Sequence, residues 1–334
     1  MTDVDQSACG EKPPLVKMSC SAVSRRTARP GMVGHDGEDM TGPIIDAHHH
    51  IWRLAHTPWL AGPPVPRIFG DYAALRRDYT VDEFKREATA HGVVKSVYVQ
   101  INVAPGQEVE EVAWVQSVGE AHGFPHAITG YADLMAPGVA AVLDRELAHP
   151  NLRAIRQQLH WHETPLYRFA SRPDLMNDPA FRRGLREVEA RGLLFELQVF
   201  PGQMRDAARL AAEFPRVPFI LLHAGMLADR SGQGWAEWRS GMRGLAACPN
   251  VAVKLSGLGT FVRECSTALW RPVIEETLAL FGPQRCLFGS NFPIESLWTS
   301  YGQIVAVTEE CLAGLPAAER RAVLHDTAAR LYRL

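Results

Sequence analysis

Three consecutive histidines, His48-His49-His50, close a short β-rich run that begins at Ile44, and His223 closes a second such run just before Ala224-Gly225. Residues two apart on a strand share a face. His48 and His50 therefore form a pair of imidazoles aimed the same way, a pattern suited to ligating a metal or to hydrogen bonding at a reacting centre. His49 faces the other way and reads as structural. Comparable polar residues recur at the ends of other apolar runs: Gln100 and Asn102, then Arg156, Gln158 and His160, then Glu196, Lys254 and Asn291.

Such residues act together only if the fold brings the run ends to one place. The strand runs are 44–48, 93–101, 127–131, 152–159, 193–199, 219–223, 251–255 and 286–290, with helical stretches between them. Thr80-Val81-Asp82-Glu83 reads as a capping box, Asp178-Pro179 as an N-cap with Pro at the first helical position, and 203–214, 235–247, 271–280 and 316–332 carry helical spacing. Strands alternating with helices imply a parallel sheet, and eight strands are the number that closes a (β/α)8 TIM barrel. An open doubly wound sheet would place a glycine-rich dinucleotide loop after the first strand, where the histidines stand instead. The expected architecture is one α/β barrel domain over residues 43–334. Residues 1–42 have no hydrophobic period and read as a disordered extension, or as sequence upstream of a start at Met32 or Met40.

In a barrel of this kind the site lies at the C-terminal ends of the strands. Alternation assigns Ile155 and Leu159 to the helix layer, which turns Arg156, Gln158 and His160 inward; it likewise turns Glu196, Gln198, Lys254 and Ser256 inward, and gives Asp46, His48 and His50 one parity. An unpaired buried polar group costs about 1–3 kcal/mol, so a dozen of them converging on one mouth mark a site. Arg156 is placed to grip a substrate carboxylate or hydroxyl. Lys254 has two open readings, a buried ion-pair partner of Glu196 or a group that polarises a carbonyl. Ser256 orients a neighbour, since no Gly-x-Ser-x-Gly elbow surrounds it. Trp52, Trp59, Trp161, His162, Trp298 and Tyr301 fall on loops after strands one, four and eight and are expected to line a pocket.

Composition narrows the partners. Lys plus Arg number 35 against 37 for Asp plus Glu, a net charge of -2, which leaves no electrostatic footprint for nucleic acid. No apolar run approaches the roughly 20 residues of a membrane span. The six cysteines, at 9, 20, 248, 265, 286 and 311, form no CxxC pair, and no apolar signal core opens the chain; reduced thiols in a soluble, cytoplasmic protein are the expectation.

The segment Ile45-Asp46-Ala47-His48-His49-His50-Ile51-Trp52 resembles the first-strand HxH signature of the amidohydrolase superfamily, and specifically its lactonase branch of fuconolactonase-like, rhamnonolactonase-like and 2-pyrone-4,6-dicarboxylate lactonases. Leu152–Leu159, Leu222-His223-Ala224-Gly225, Asn250–Leu258, Phe288-Gly289-Ser290-Asn291-Phe292-Pro293 and Thr327–Tyr332 match in the same order, so the resemblance runs from about residue 43 to the C-terminus. It implies that His48, His50 and His223 bind a divalent metal, Zn2+ or Mn2+, or, as in metal-free members, polarise the lactone carbonyl directly. The acid that normally deprotonates the attacking water ends strand eight, where this chain has Asn291. An amide is no base near neutral pH. Either Glu295 or Glu196 takes over, or a bound zinc lowers the water pKa, or the barrel binds a small acid without turning it over.

The expected activity is hydrolysis of a lactone or related cyclic ester. The His cluster with Lys254 would act at the carbonyl, Glu196 or Glu295 at the proton, and Asn291 in positioning. Arg156, Gln158, His160, Gln100, Asn102, Trp52, Trp161, Trp298 and Tyr301 would hold the substrate. The competing readings are a metal-dependent non-oxidative decarboxylase of an aromatic or unsaturated acid and an inactive small-acid-binding barrel. The expected partner is a small molecule, without nucleic acid or membrane, and a homo-oligomer is left open.

Overall fold

A computed structural model of the protein describes residues 42–334. The extension expected over residues 1–42 thus lies, Gly42 apart, outside the described residues. Eight parallel strands follow one another in sequence order around a nearly closed barrel: β1 (Ile44–His49), β2 (Val93–Val99), β3 (Ala127–Gly130), β4 (Leu152–Ile155), β5 (Leu194–Leu197), β6 (Phe219–Leu221), β7 (Val251–Leu255) and β8 (Cys286–Phe288). An isolated parallel bridge between His49 and Phe292 joins the last strand to the first.

The helices are α1 (Pro58–Ala61), α2 (Val81–Thr89), α3 (Glu108–His122), α4 (Val139–Leu147), α5 (Pro179–Ala190), α6 (Met204–Glu213), α7 (Gly232–Ala246), α8 (Thr267–Phe281), α9 (Tyr301–Leu312), α10 (Ala317–Arg321) and α11 (Thr327–Tyr332). Asp178 caps α5 by accepting the Ala180 amide, as the spacing predicts, and Thr80 caps α2 by accepting the Glu83 amide, while the Glu83 carboxylate pairs with Arg77 instead of closing a capping box. The helical stretch expected from 316 to 332 is broken by a π turn over Ala322–Asp326. Among the described residues no helix is long and apolar enough to cross a membrane.

Two apolar layers hold the barrel. Between strands and helices, Phe195 packs edge-on against Phe181 of α5 and against Phe219 of β6. Inside, every strand contributes a residue to a second cluster: Ile45 and Ala47, Val97, Ala127, Ala154, Leu194, Ile220, Ala252 and Leu287, closed off by Ala328 and Tyr332 of α11. The Tyr332 carbonyl accepts from Arg153 near the start of β4, so α11 plugs the N-terminal end and leaves the C-terminal end open.

Several strands are shorter than the sequence suggests, because the polar residues at their C-terminal ends leave the ladder. Arg156, Gln158 and His160 lie beyond β4, and His223 lies beyond β6. The parity assigned to Asp46 is corrected. Ile45 and Ala47 face the barrel interior, and a register shift between Asp46 and His49 brings His48 inward as well. Asp46 points to the helix layer, where it accepts from the Ser290 amide, the Ser290 hydroxyl and the Tyr301 hydroxyl.

Candidate active site

The open end of the barrel holds a cavity of about 540 Å³. His50, Gln100, Asn102, Arg156, Gln158, His160, His223, Asn291 and Trp52 of the expected site residues line it. Non-glycine residues in the left-handed backbone region cluster on its wall: Asn102 (φ 60°), His223 (φ 55°), Met226 (φ 54°) and Asn291 (φ 56°). Each such residue costs of the order of 1–3 kcal/mol and is held only where the surroundings over-determine it, which is the usual condition of a functional site.

Three imidazoles meet at the centre. The His48 ring centroid lies 5.2 Å from that of His50 and 4.8 Å from that of His223. Two glycines make this approach feasible. A Cβ on Gly257 would stand 2.5 Å from His223 Nδ1, and one on Gly289 would stand 2.7 Å from His48 Cβ. His50 Nδ1 donates to the Val99 carbonyl at 2.7 Å, and His223 Nδ1 lies 3.0 Å from the Ser256 hydroxyl, so Ser256 orients its neighbour. Burial, reinforced by nearby positive charge, holds the His48 and His223 rings well below the ordinary imidazole range and pushes His50 down to about 3. All three rings are neutral at pH 7, and in His50 the Val99 bond leaves Nε2 as the lone-pair nitrogen.

Arg156 is the buried charged group of the wall. It is buried, donates to the Gln100 carbonyl at 2.5 Å and to Gln198 Oε1 at 3.5 Å, and keeps Nε without a partner. Burial lowers its pKa to about 10, so it remains a cation at neutral pH, facing amide and carbonyl oxygens rather than a carboxylate. His160 is pushed down to about 3 by burial and by Arg156, and is a neutral donor or acceptor on the same wall.

Behind the wall lies Glu295, fully buried. Its Oε2 accepts from Trp298 Nε1 at 2.8 Å, and its Oε1 accepts from Thr260 Oγ1 at 3.3 Å and from Asn291 Nδ2 at 3.4 Å. Burial outweighs these bonds and raises the carboxyl to about 7. Thr260 and Asn291 both face the cavity, and Asn291 also hydrogen-bonds the His50 ring. A carboxyl that gains and loses its proton near neutral pH is thus one hydroxyl away from the cavity.

Other expected site residues lie elsewhere. Glu196 sits below the cavity, its Oε1 accepting from Thr129 Oγ1 at 2.6 Å, Lys254 Nζ at 2.7 Å and Tyr332 Oη at 2.6 Å. Of the two readings of Lys254, the structure shows the ion pair: both side chains are wholly buried, and neither lines the cavity. Parity gave their direction correctly but not their depth, which Tyr332 of the N-terminal plug reveals. Trp161, Trp298 and Tyr301 do not line the cavity either. Trp161 lies under the Arg168 guanidinium, Trp298 holds Glu295, and Tyr301 opens α9 and holds Asp46. His49 stacks flat on Phe84 with ring centroids 3.7 Å apart, the structural role expected of it.

The wall also contains Arg67, Phe69, Thr260, Phe261 and Phe169, which the sequence did not single out. They stand on loops, where no period marks orientation.

Whether the centre suits a divalent cation can be judged from its donors. Both His48 nitrogens are buried without a partner, which favours a guest ion. Against this, among the described residues no three His, Cys, Asp or Glu side chains are grouped to hold a metal. The β8 position is an amide, and Arg156 and Lys254 place positive charge beside the imidazoles. As the side chains stand they do not fit a tightly held cation.

Comparison with known proteins identifies the family. Residues 45–334 match the family model described as amidohydrolase. The chain is 38% identical over 293 residues to an uncharacterised protein of Sinorhizobium fredii, covering 87% of this chain and 98% of that one. It is 31% identical over 303 residues to an L-fucono-1,5-lactonase of Burkholderia multivorans, covering 87% and 96%. A crystal structure of an amidohydrolase from Burkholderia multivorans with bound zinc superposes with a TM-score of 0.73 at 29% identity, covering 88% of this chain and all of that one. With the barrel, the histidine cluster and the family model all in accord, the chain belongs to the amidohydrolase family and is a hydrolase.

Proposed function

We propose that this hydrolase is a lactonase, opening a cyclic ester by attack of water on its carbonyl. The observation that carries this reading is the pairing of a proton acceptor and a cation across one cavity: Glu295, raised to about 7, behind Thr260 and Asn291, and buried Arg156 on the wall. The likeness to an L-fucono-1,5-lactonase at 31% identity supports a lactone as the substrate.

The attacking water sits at Thr260. As its oxygen bonds to the carbonyl carbon, its proton passes to Thr260 Oγ1 while the threonine proton passes to Glu295 Oε1. Negative charge gathers on the carbonyl oxygen, and Arg156, on the cavity wall, stabilises it. When the ring C–O bond breaks, the departing alkoxide takes the proton back along the same path, and the product is a hydroxy acid. Asn291 fixes Glu295 and His50 rather than acting as a base. No step passes through a metal ion.

The test is a pH-indicator screen for acid release over sugar lactones, aryl lactones and pyrone carboxylates, before and after chelation, with CO2 trapped in parallel. Acid release without CO2 supports the proposal. CO2 release from an aromatic acid would replace it with the decarboxylase, and binding without any turnover would replace it with the inactive barrel.

A further inference from the structure

The lactonase reading explains the floor of the cavity but not its outer wall, which a compact neutral lactone does not need. Among the described residues no Asp or Glu lines the cavity, whereas three arginines do: buried Arg156 at the floor, and the more exposed Arg67 and Arg168. Arg168 is engaged by its own loop, donating to the His162 and Glu163 carbonyls. Arg67 is different. Its guanidinium carbon lies 5.3 Å from the Trp59 ring centroid, and its Nε is buried with no hydrogen-bond partner among the described residues. Trp59 is itself fixed, donating to the Ile101 carbonyl at 2.7 Å and packing edge-on against Trp52 and Phe69. A guanidinium held over a fixed indole keeps its terminal N–H groups for a carboxylate. The rest of this region is apolar: Leu166 and Phe169 on the loop after β4, 41% and 46% exposed, and Phe261 after β7.

Resting on the lactonase reading, we infer that the outer cavity is a subsite for an anionic group and that Arg67, stacked on Trp59, is its anchor. The substrate is a lactone bearing a carboxylate at a distance from the ester, carried on a flat apolar or aromatic spacer. A carboxylate there meets cations and no like charge, and its spacer covers the aromatic wall. A neutral polyol would bring Arg67 no opposite charge and set hydroxyls against apolar rings.

Binding can be measured without turnover, using two ring ethers that cannot be hydrolysed, chroman and chroman-6-carboxylate. By calorimetry the carboxylate should bind at least tenfold more tightly, with an advantage that shrinks as salt rises. In Arg67→Gln, shown to be folded by an unchanged unfolding midpoint, the two ligands should bind alike. Equal affinities in the native protein, or an undiminished preference in Arg67→Gln, would overturn the inference. A preference that depends on Arg67, with no hydrolysis of any lactone including 2-oxochroman-6-carboxylate, would uphold the subsite and sink the lactonase reading instead.

Discussion

Thr260 Oγ1 donates to Glu295 Oε1 at 3.3 Å, and Thr260 faces the cavity while Glu295 does not. The threonine hydroxyl is therefore the group through which the carboxyl can reach a bound water. Thr260→Val keeps the shape and removes the relay, and should lower kcat by about 10²-fold, the lower end of general-base contributions. Thr260→Ser should restore most of that loss. Steady-state kinetics on any lactone hydrolysed by the native enzyme decides it, and a valine variant as active as the native enzyme would refute the relay.

Asn291→Asp separates a relocated base from a lost one. Asn291 Nδ2 is 3.4 Å from Glu295 Oε1, so an aspartate there sets two carboxyls side by side, and they share a proton. Activity at pH 7 should fall or stay level, with the acid limb of the pH profile moved to higher pH. A large gain at pH 7 would mean that the native site has no base of its own.

Removal of metal should leave the enzyme working. Dialysis against a strong chelator is expected to leave kcat/KM within about twofold, the three imidazoles being neutral donors in a positive surrounding. Loss of activity on chelation, restored by one equivalent of Zn2+, would contradict this.

The buried Glu196–Lys254 pair makes a prediction about stability rather than chemistry. Lys254→Met leaves the Glu196 carboxylate without its cation at a site sealed from solvent and should cost about 3–5 kcal/mol, read from denaturant unfolding. Replacing both by apolar residues, Glu196→Leu with Lys254→Met, should recover most of that loss. An unchanged midpoint in the single variant would contradict the assigned role.

The barrel and its open end were legible because strand and helix periods are strong signals over many residues, and alternation along β4 correctly aimed Arg156, Gln158 and His160. Two limits of alternation explain what was misread. It assumes an unbroken pleat, and the register shift in β1 separates Asp46 from His48. It also gives direction without depth, so Glu196 and Lys254 read like cavity residues while lying beside Tyr332 at the barrel plug. Loop residues carry no period at all. No period marks Arg67 or Thr260, and Tyr301, expected on a loop, opens a helix that Ser300 caps.

The pH dependence of acid release by the native enzyme and by Glu295→Gln tests the central claim most directly. Glu295 must be ionised to accept a proton, and burial raises it to about 7. Native kcat/KM should therefore rise with pH through an apparent pKa near 7 and then level off. Glu295→Gln should lose about 10²- to 10⁴-fold and with it the acid limb. A glutamine variant that keeps both the rate and the limb would contradict the account.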